Sequence, residues 1–157
     1  MYTKFFKQIS AKDVAIAGGK GASLGEMTKA KLPVPPGFVV LAQAFDEFLK
    51  ITDLNVEIDA ILTKVNSQDI KSVEEASIKI RDLIRDAEFP EDMAKEIKKA
   101  FKELGAEFVA VRSSATAEDS AIASWAGELE SYLYMTEQRL MPAMQKLEAA
   151  VLRVQQM

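Results

Sequence analysis

Three of the chain's five prolines fall within Leu32-Pro33-Val34-Pro35-Pro36-Gly37, and this block limits the fold more than any other feature. Proline lacks an amide donor and restricts the residue before it, so neither a helix nor a central strand can run through such a block. It reads as a stiff, extended connector between two unlike segments. Before it, Ala17-Gly18-Gly19-Lys20-Gly21-Ala22-Ser23 gives way to good helix formers from Leu24 to Ala30, which predicts a glycine loop running into a helix. After it, the β-rich apolar run 38–41 feeds a segment with Phe45, Phe48 and Leu49 at helical spacing.

The middle of the chain reads as helical. Leu54, Ile58, Ile61, Leu62 and Val65 form one apolar stripe, and Val73, Ala76, Ile80, Leu83, Ile84 and Ala87 form another. A third helix is expected to begin at Pro90 and end at Gly105, with Met93, Ile97, Ala100, Phe101 and Leu104 inward and four lysines on a solvated face. Residues 108–112 have the composition of a buried strand that runs into a polar segment, and residues 129–135 predict a further strand. Around and beyond Pro142, Leu140, Met144, Leu147, Val151 and Val154 are spaced alternately by four and three. That spacing predicts a C-terminal helix and offers 140–154 as the seam of a homodimer, against the plainer reading of a helix docked on its own domain.

Composition narrows the chemistry. A chain of 157 residues with 48% hydrophobic content is sized for one domain. Its net charge of −4, with acids and bases interspersed, provides no basic face for a nucleic acid. No run is long enough to span a membrane, and the opening residues lack the pattern of a secretory signal, so the expected setting is cytoplasmic. The chain has no cysteine and no histidine. This excludes disulfides, thiolate nucleophiles, imidazole acid–base chemistry and a phosphohistidine within the chain, leaving lysine, arginine, carboxylates, hydroxyls and backbone amides.

Two constellations use those groups. Gly18-Gly19-Lys20-Gly21 has the makings of a phosphate loop, since glycines admit an anion to the backbone amides and lysine adds a charge. Its spacing fits neither the Walker A loop nor the dinucleotide fingerprint, and a plain helix-leading turn explains it equally well. Arg112 closes a strand and is followed by Ser113, Ser114 and Thr116, which suits phosphate or carboxylate recognition; the alternative is an ion pair with Glu118 or Asp119. Those two acids are either magnesium ligands or a solvated turn, with the turn favoured. Trp125 is either a base-stacking surface or, preferably, a core anchor.

Taken in order, Gly18-Gly19-Lys20-Gly21-Ala22-Ser23-Leu24-Gly25-Glu26-Met27, Pro33-Val34-Pro35-Pro36-Gly37-Phe38 and Val109-Ala110-Val111-Arg112-Ser113-Ser114-Ala115-Thr116-Ala117-Glu118-Asp119 resemble the N-terminal region of the phosphoenolpyruvate synthase family. Pyruvate phosphate dikinase and rifampin phosphotransferase share its architecture. The resemblance covers about residues 5–133 and implies an ATP-grasp-like nucleotide domain, with ATP and magnesium as cofactors. It also implies that the β-phosphate passes to a histidine on a separate swivelling domain and thence to pyruvate, while the γ-phosphate is released. Lys20, Arg112 and Ser113 then contact the nucleotide. The family's glycine loop over the phosphates corresponds to Gly127, Glu128 and Ser131, with serine where threonine is usual.

Glu128 departs from the family's uncharged residue and would repel a phosphate unless a cation intervenes. The magnesium carboxylates, the second half of the cleft and the histidine and pyruvate domains are implied to lie outside this chain. The expectation is therefore an α+β fold, helix-rich with a small sheet, in which 1–135 form the front of the ATP-binding domain and 136–157 a poorly matched helix. Such a chain would bind ATP with the remaining domains in cis or in trans and would be inactive alone. The alternative is an interaction or oligomerisation module that keeps the fold without turnover.

Overall fold

A computed structural model describes residues 1–114, 131–146 and 151–156; for residues 145–146 and 151–156 it describes the backbone alone. The fold is α+β, as expected, and its centre is an antiparallel five-stranded sheet. In chain order the strands are β1 (Thr3–Phe5), β2 (Gly37–Val40), β3 (Val109–Ser114), β4 (Ser131–Met135) and β5 (Val151–Gln156). In space they run β1-β2-β5-β3-β4. The helices are α1 (Val14–Lys29), α2 (Ala42–Ile51), α3 (Leu54–Leu62), α4 (Ile70–Asp86), α5 (Glu91–Leu104) and α6 (Glu137–Lys146).

Side-chain alternation along the strands divides the core into two layers. Phe38 and Val40 of β2, with Val109 and Val111 of β3, face α2 to α6 and pack on Phe48, Ile84, Met93, Ile97, Phe101 and Leu140. Val39 and Leu41 face the other way and pack on Phe6, Ile9 and Ala17. Helix α1 and the N-terminal segment thus cover one face of the sheet, and the remaining helices cover the other. Small residues allow α1 to lie close: a Cβ on Gly25 would sit 2.5 Å from the Ile9 carbonyl oxygen, and one on Gly21 would sit 3.3 Å from Val39 Cγ2.

The helices form where apolar spacing places them. In α5, Met93, Ile97, Ala100 and Phe101 are buried at intervals of three and four, Lys95, Lys98, Lys99 and Lys102 are exposed, and Gly105 ends the helix with φ 69°. Pro90 stands one residue earlier than expected, with ψ 128°, and its carbonyl accepts the Ala94 amide. Asp69 caps α4 by accepting the Lys71 amide at 3.0 Å. Strand β1 was not foreseen: three residues are too few to show a period. It is held by Glu96 of α5, whose Oε1 accepts the amides of Tyr2 and Thr3 at 2.6 and 2.8 Å and the Thr3 hydroxyl at 2.9 Å.

The helix expected over 136–157 is corrected. Helix α6 ends at Lys146, and Val151–Gln156 is a strand. The apolar series is split: Leu140 and Met144 are buried and belong to α6, whereas positions 151 and 154 belong to strand β5, so no continuous helix exists to form a seam over 140–154. The physical reason is tertiary. Strand β5 pairs with β2 on one side and with β3 on the other, and two backbone ladders outweigh a helical period that also accommodates a strand rich in valine. Inside α6, Pro142 leaves the Gln138 carbonyl without its usual amide.

Ile97 is wholly buried at the centre of the larger core layer. Ile97→Ala is expected to lower unfolding free energy by about 2–5 kcal/mol, read from the urea midpoint, because the packed surroundings cannot collapse into the space. Ahead of α1, the Ser10 amide and hydroxyl both donate to Asp13 Oδ2 at 2.8 Å, and Lys4 lies 3.8 Å from the same carboxylate. Those hydrogen bonds, aided by Lys4, hold the Asp13 carboxyl below the usual carboxylate range. A depressed folded pKa stabilises the protein above the unfolded value of about 3.9 and ceases to do so as pH falls through the folded value. Urea midpoints measured downward from about pH 5 should therefore fall less steeply in Asp13→Asn than in the parent chain.

Candidate functional site

The glycine loop and the arginine strand, 93 residues apart in sequence, meet at one hydroxyl. Helix α1 is broken at Gly18, where φ is 70° and ψ 164°, a region open only to glycine. The sequence predicted a loop and then a helix; the structure adds a helical turn, from Val14 to Ala17, on the near side of the break. In an unbroken helix the Gly21 amide would bond to the Ala17 carbonyl, four residues back. Instead, Ser114 Oγ lies between them, accepting from the Gly21 amide at 3.2 Å and donating to the Ala17 carbonyl at 3.3 Å. Ser114 is fully buried. A side chain inserted in the backbone ladder is a recognised cause of a sharp kink.

The contact is close enough to require glycine. A Cβ built on Gly18 would lie 2.3 Å from Ser114 Oγ and 2.6 Å from the Ser114 carbonyl oxygen. Beyond the break, Gly19 and Lys20 open a fresh helical segment whose first-turn amides point along the axis and favour an anion, while the Gly21 amide is taken by Ser114. Lys20 is half-buried and adjoins the Gly21 amide in sequence.

The strand side is set by alternation and register. Arg112 and Ser114 share the α1 face of β3, and Arg112 is exposed. Ser131, also exposed, is the direct partner of Arg112 across the β3–β4 ladder, which brings two of the predicted site residues side by side. On its other side Arg112 is partnered by Arg153 of β5, a position the sequence reading had assigned to a helix. Ser113 falls on the opposite face with Val109 and Val111; it is buried, and its hydroxyl has no partner among the described residues. Strict alternation from Arg112 could have distinguished Ser114 from Ser113 beforehand. Gly127, Glu128, Glu118, Asp119 and Trp125 lie outside the described residues.

An open groove lies elsewhere in the molecule, away from the glycine turn and the arginine strand. A cleft of about 1080 Å³ between α2, α3, α4 and α5 is rimmed by Glu57, Asp82, Asp86, Glu88 and Glu91, with Lys79 its one basic residue. At that rim Arg85 pairs with Asp82 and Asp86 at 2.8 and 2.9 Å, and Lys95 with Glu91 at 2.8 Å, so much of the acidity is balanced locally. Among the described residues no group of three or more carboxylates is gathered where a metal ion could be held. No described helix is long and apolar enough to cross a membrane.

The pyruvate phosphate dikinase AMP/ATP-binding domain family matches residues 14–155, a span that includes the broken helix, the arginine strand and β5. The chain belongs to that family. Its relatives within the dikinase family bear out the resemblance read from the motifs. A protein of Methanocaldococcus jannaschii named "Probable phosphoenolpyruvate synthase" is 49% identical over 138 residues, covering 84% of this chain and 12% of its own length. A Methanothermobacter thermautotrophicus protein of the same name is 43% identical, with 84% and 20% covered. The "Phosphoenolpyruvate synthase" of Pyrococcus furiosus is 38% identical, with 84% and 21% covered. The chain therefore spans about a fifth or less of the length of these curated relatives.

Gly18→Ala is the direct test of the broken helix. The methyl group meets both strain at positive φ and the Ser114 backbone, so unfolding free energy should fall by at least ~2 kcal/mol in urea titrations. An unchanged midpoint would show that the loop does not sit against the strand end.

Proposed function

We propose that this chain binds ATP, gripping its phosphates between the broken turn of α1 and the end of β3, in an ATP-grasp-like domain that serves a phosphoenolpyruvate synthase reaction. The observation that carries the reading is the meeting of Gly18–Gly21 with the Arg112 strand through Ser114, in a chain of a family described as AMP/ATP-binding. Lys20 supplies a point charge beside the first-turn amides, and Arg112 supplies a planar fork of donors suited to phosphate oxygens. Ser131, next to Arg112 in the ladder, adds a hydroxyl. Gly127 and Glu128 belong to the same proposed site by resemblance alone.

The chemistry these residues can perform is electrostatic. Phosphoryl transfer is accelerated mainly by holding the phosphates in line and meeting charge as it spreads onto their oxygens. Lys20 and Arg112 are fixed cations for that purpose. The broken helix turns backbone amides to the same end without a mobile side chain. In the reaction proposed for the whole enzyme, ATP, pyruvate and water yield phosphoenolpyruvate, AMP and phosphate. The β-phosphate passes from ATP to a histidine that this chain does not contain and thence to pyruvate, while the γ-phosphate is released to water. The chain thus acts with further domains, in cis or in trans, and is proposed to be inactive alone.

Calorimetric titration with ATP tests the assignment. The intact chain should bind, and Lys20→Ala and Arg112→Ala should each weaken binding about tenfold or more, the usual effect of losing one charge-assisted contact. Absence of binding by the intact chain, or binding that neither substitution alters, would overturn the reading.

A further inference from the structure

We infer that Ser114 is a positioning residue, whose hydroxyl holds α1 open at Gly18 and thereby creates the amide turn that receives the polyphosphate of the ligand. The inference rests on the ATP reading above and assigns the part of the structure that makes that site available.

The argument starts from hydrogen-bond accounting. Ala17 and Gly21 stand four residues apart, the separation at which an α-helix closes its own bond. Both are buried, as is Ser114, so water cannot readily substitute for a missing partner. Ser114 Oγ satisfies both backbone groups at once, as acceptor at 3.2 Å and as donor at 3.3 Å. If the hydroxyl is removed, an amide and a carbonyl lose their partner together. Leaving both unsatisfied costs roughly 1–3 kcal/mol per group, whereas rejoining them regains a hydrogen bond. Within α1 only Gly18 has non-helical dihedrals, and a glycine is free to move from φ 70° into the helical region, carrying the turn Val14 to Ala17 with it. Closure would make Val14 to Lys29 a continuous helix and would engage the Gly19 and Lys20 amides with the Ala15 and Ile16 carbonyls, four residues back.

The strand adds a second consequence. Ser114 is two residues beyond Arg112 on the same face of β3, so one side chain fixes the glycine turn against the strand that carries the arginine. The Ser114 hydroxyl therefore fixes the backbone of the turn that carries Lys20 against the strand that carries Arg112, which reduces the ordering left to be done on binding. A residue with this role touches neither base nor phosphate, and its loss should alter affinity through the backbone.

The test compares the full chain with Ser114→Ala and Ser114→Thr, using tripolyphosphate as the titrant and backbone chemical shifts at Gly18 to Gly21 as the conformational readout. In Ser114→Ala the Gly18 and Gly21 shifts should move to helical values, and tripolyphosphate affinity should fall about tenfold or more. Ser114→Thr keeps the hydroxyl and should retain the left-handed Gly18 and affinity near that of the parent. A Ser114→Ala chain that keeps Gly18 left-handed with unchanged affinity overturns the inference. Should Ser114→Ala fail to fold, Ser114→Thr decides: parental shifts and affinity support the wedge, and loss of either in a folded chain overturns it. A parent chain that binds neither tripolyphosphate nor ATP overturns the ATP reading itself. Reclosure of Gly18 in Ser114→Ala would then still uphold the wedge, and its absence would remove both.

Discussion

One buried hydroxyl, that of Ser114, ties the layer formed by α1 to the sheet, and much of the geometry near the site depends on it. It works because three conditions coincide. Gly18 can adopt a backbone conformation closed to other residues, it has no Cβ to obstruct the strand, and Ser114 reaches the gap that the kink opens. None of the three is useful alone. A glycine kink without the serine would leave an amide and a carbonyl buried and unpaired, and the serine without the kink would find the helix already bonded to itself. A strained backbone residue held in place by its surroundings is a common companion of functional sites, and here those surroundings are the Ser114 contact and the packing of Ala17 on Val39 and Leu41.

The sheet supplies the rigid side of this arrangement. With α1 on one face and five helices on the other, β3 is braced by packing as well as by its ladders to β4 and β5. Val109 and Val111 anchor it in the larger core, while Arg112 and Ser114 project from the opposite face. A strand so constrained presents its terminal residues with little freedom, which is what a phosphate-binding cation requires if affinity is not to be spent on ordering it. Chemistry placed on a loop alone would lack that support.

Much of this was legible in the residues. The spacing of Met93, Ile97, Ala100 and Phe101, with Pro90 and Gly105 as punctuation, located α5 within a residue, and the apolar runs before Leu41 and Arg112 located β2 and β3. What escaped is instructive. Strand β5 was read as a helix because Val151 and Val154 satisfy both periods, and only partners distant in sequence decide between them. Strand β1 is too short to show any period and is fixed by Glu96, a carboxylate that looks like one more solvated charge on α5. At the site, the motifs were recognisable but their division of labour was not. Ser113 and Ser114 are chemically identical neighbours, and only the face of the strand assigns one to the core and the other to the glycine turn.

The place of β5 also bears on how the chain assembles. Strands β1 and β2 form one ribbon and β3 and β4 another, and among the described strands β5 alone joins them. Its partners in β2 lie more than a hundred residues earlier, so loop-closure entropy must be overcome before those contacts reward it. During synthesis the inner edges of β2 and β3 remain bare until Val151–Gln156 has left the ribosome, and bare edges are templates for pairing with other chains. The kinetic hazard of this fold thus falls at the step that fuses two half-sheets into one.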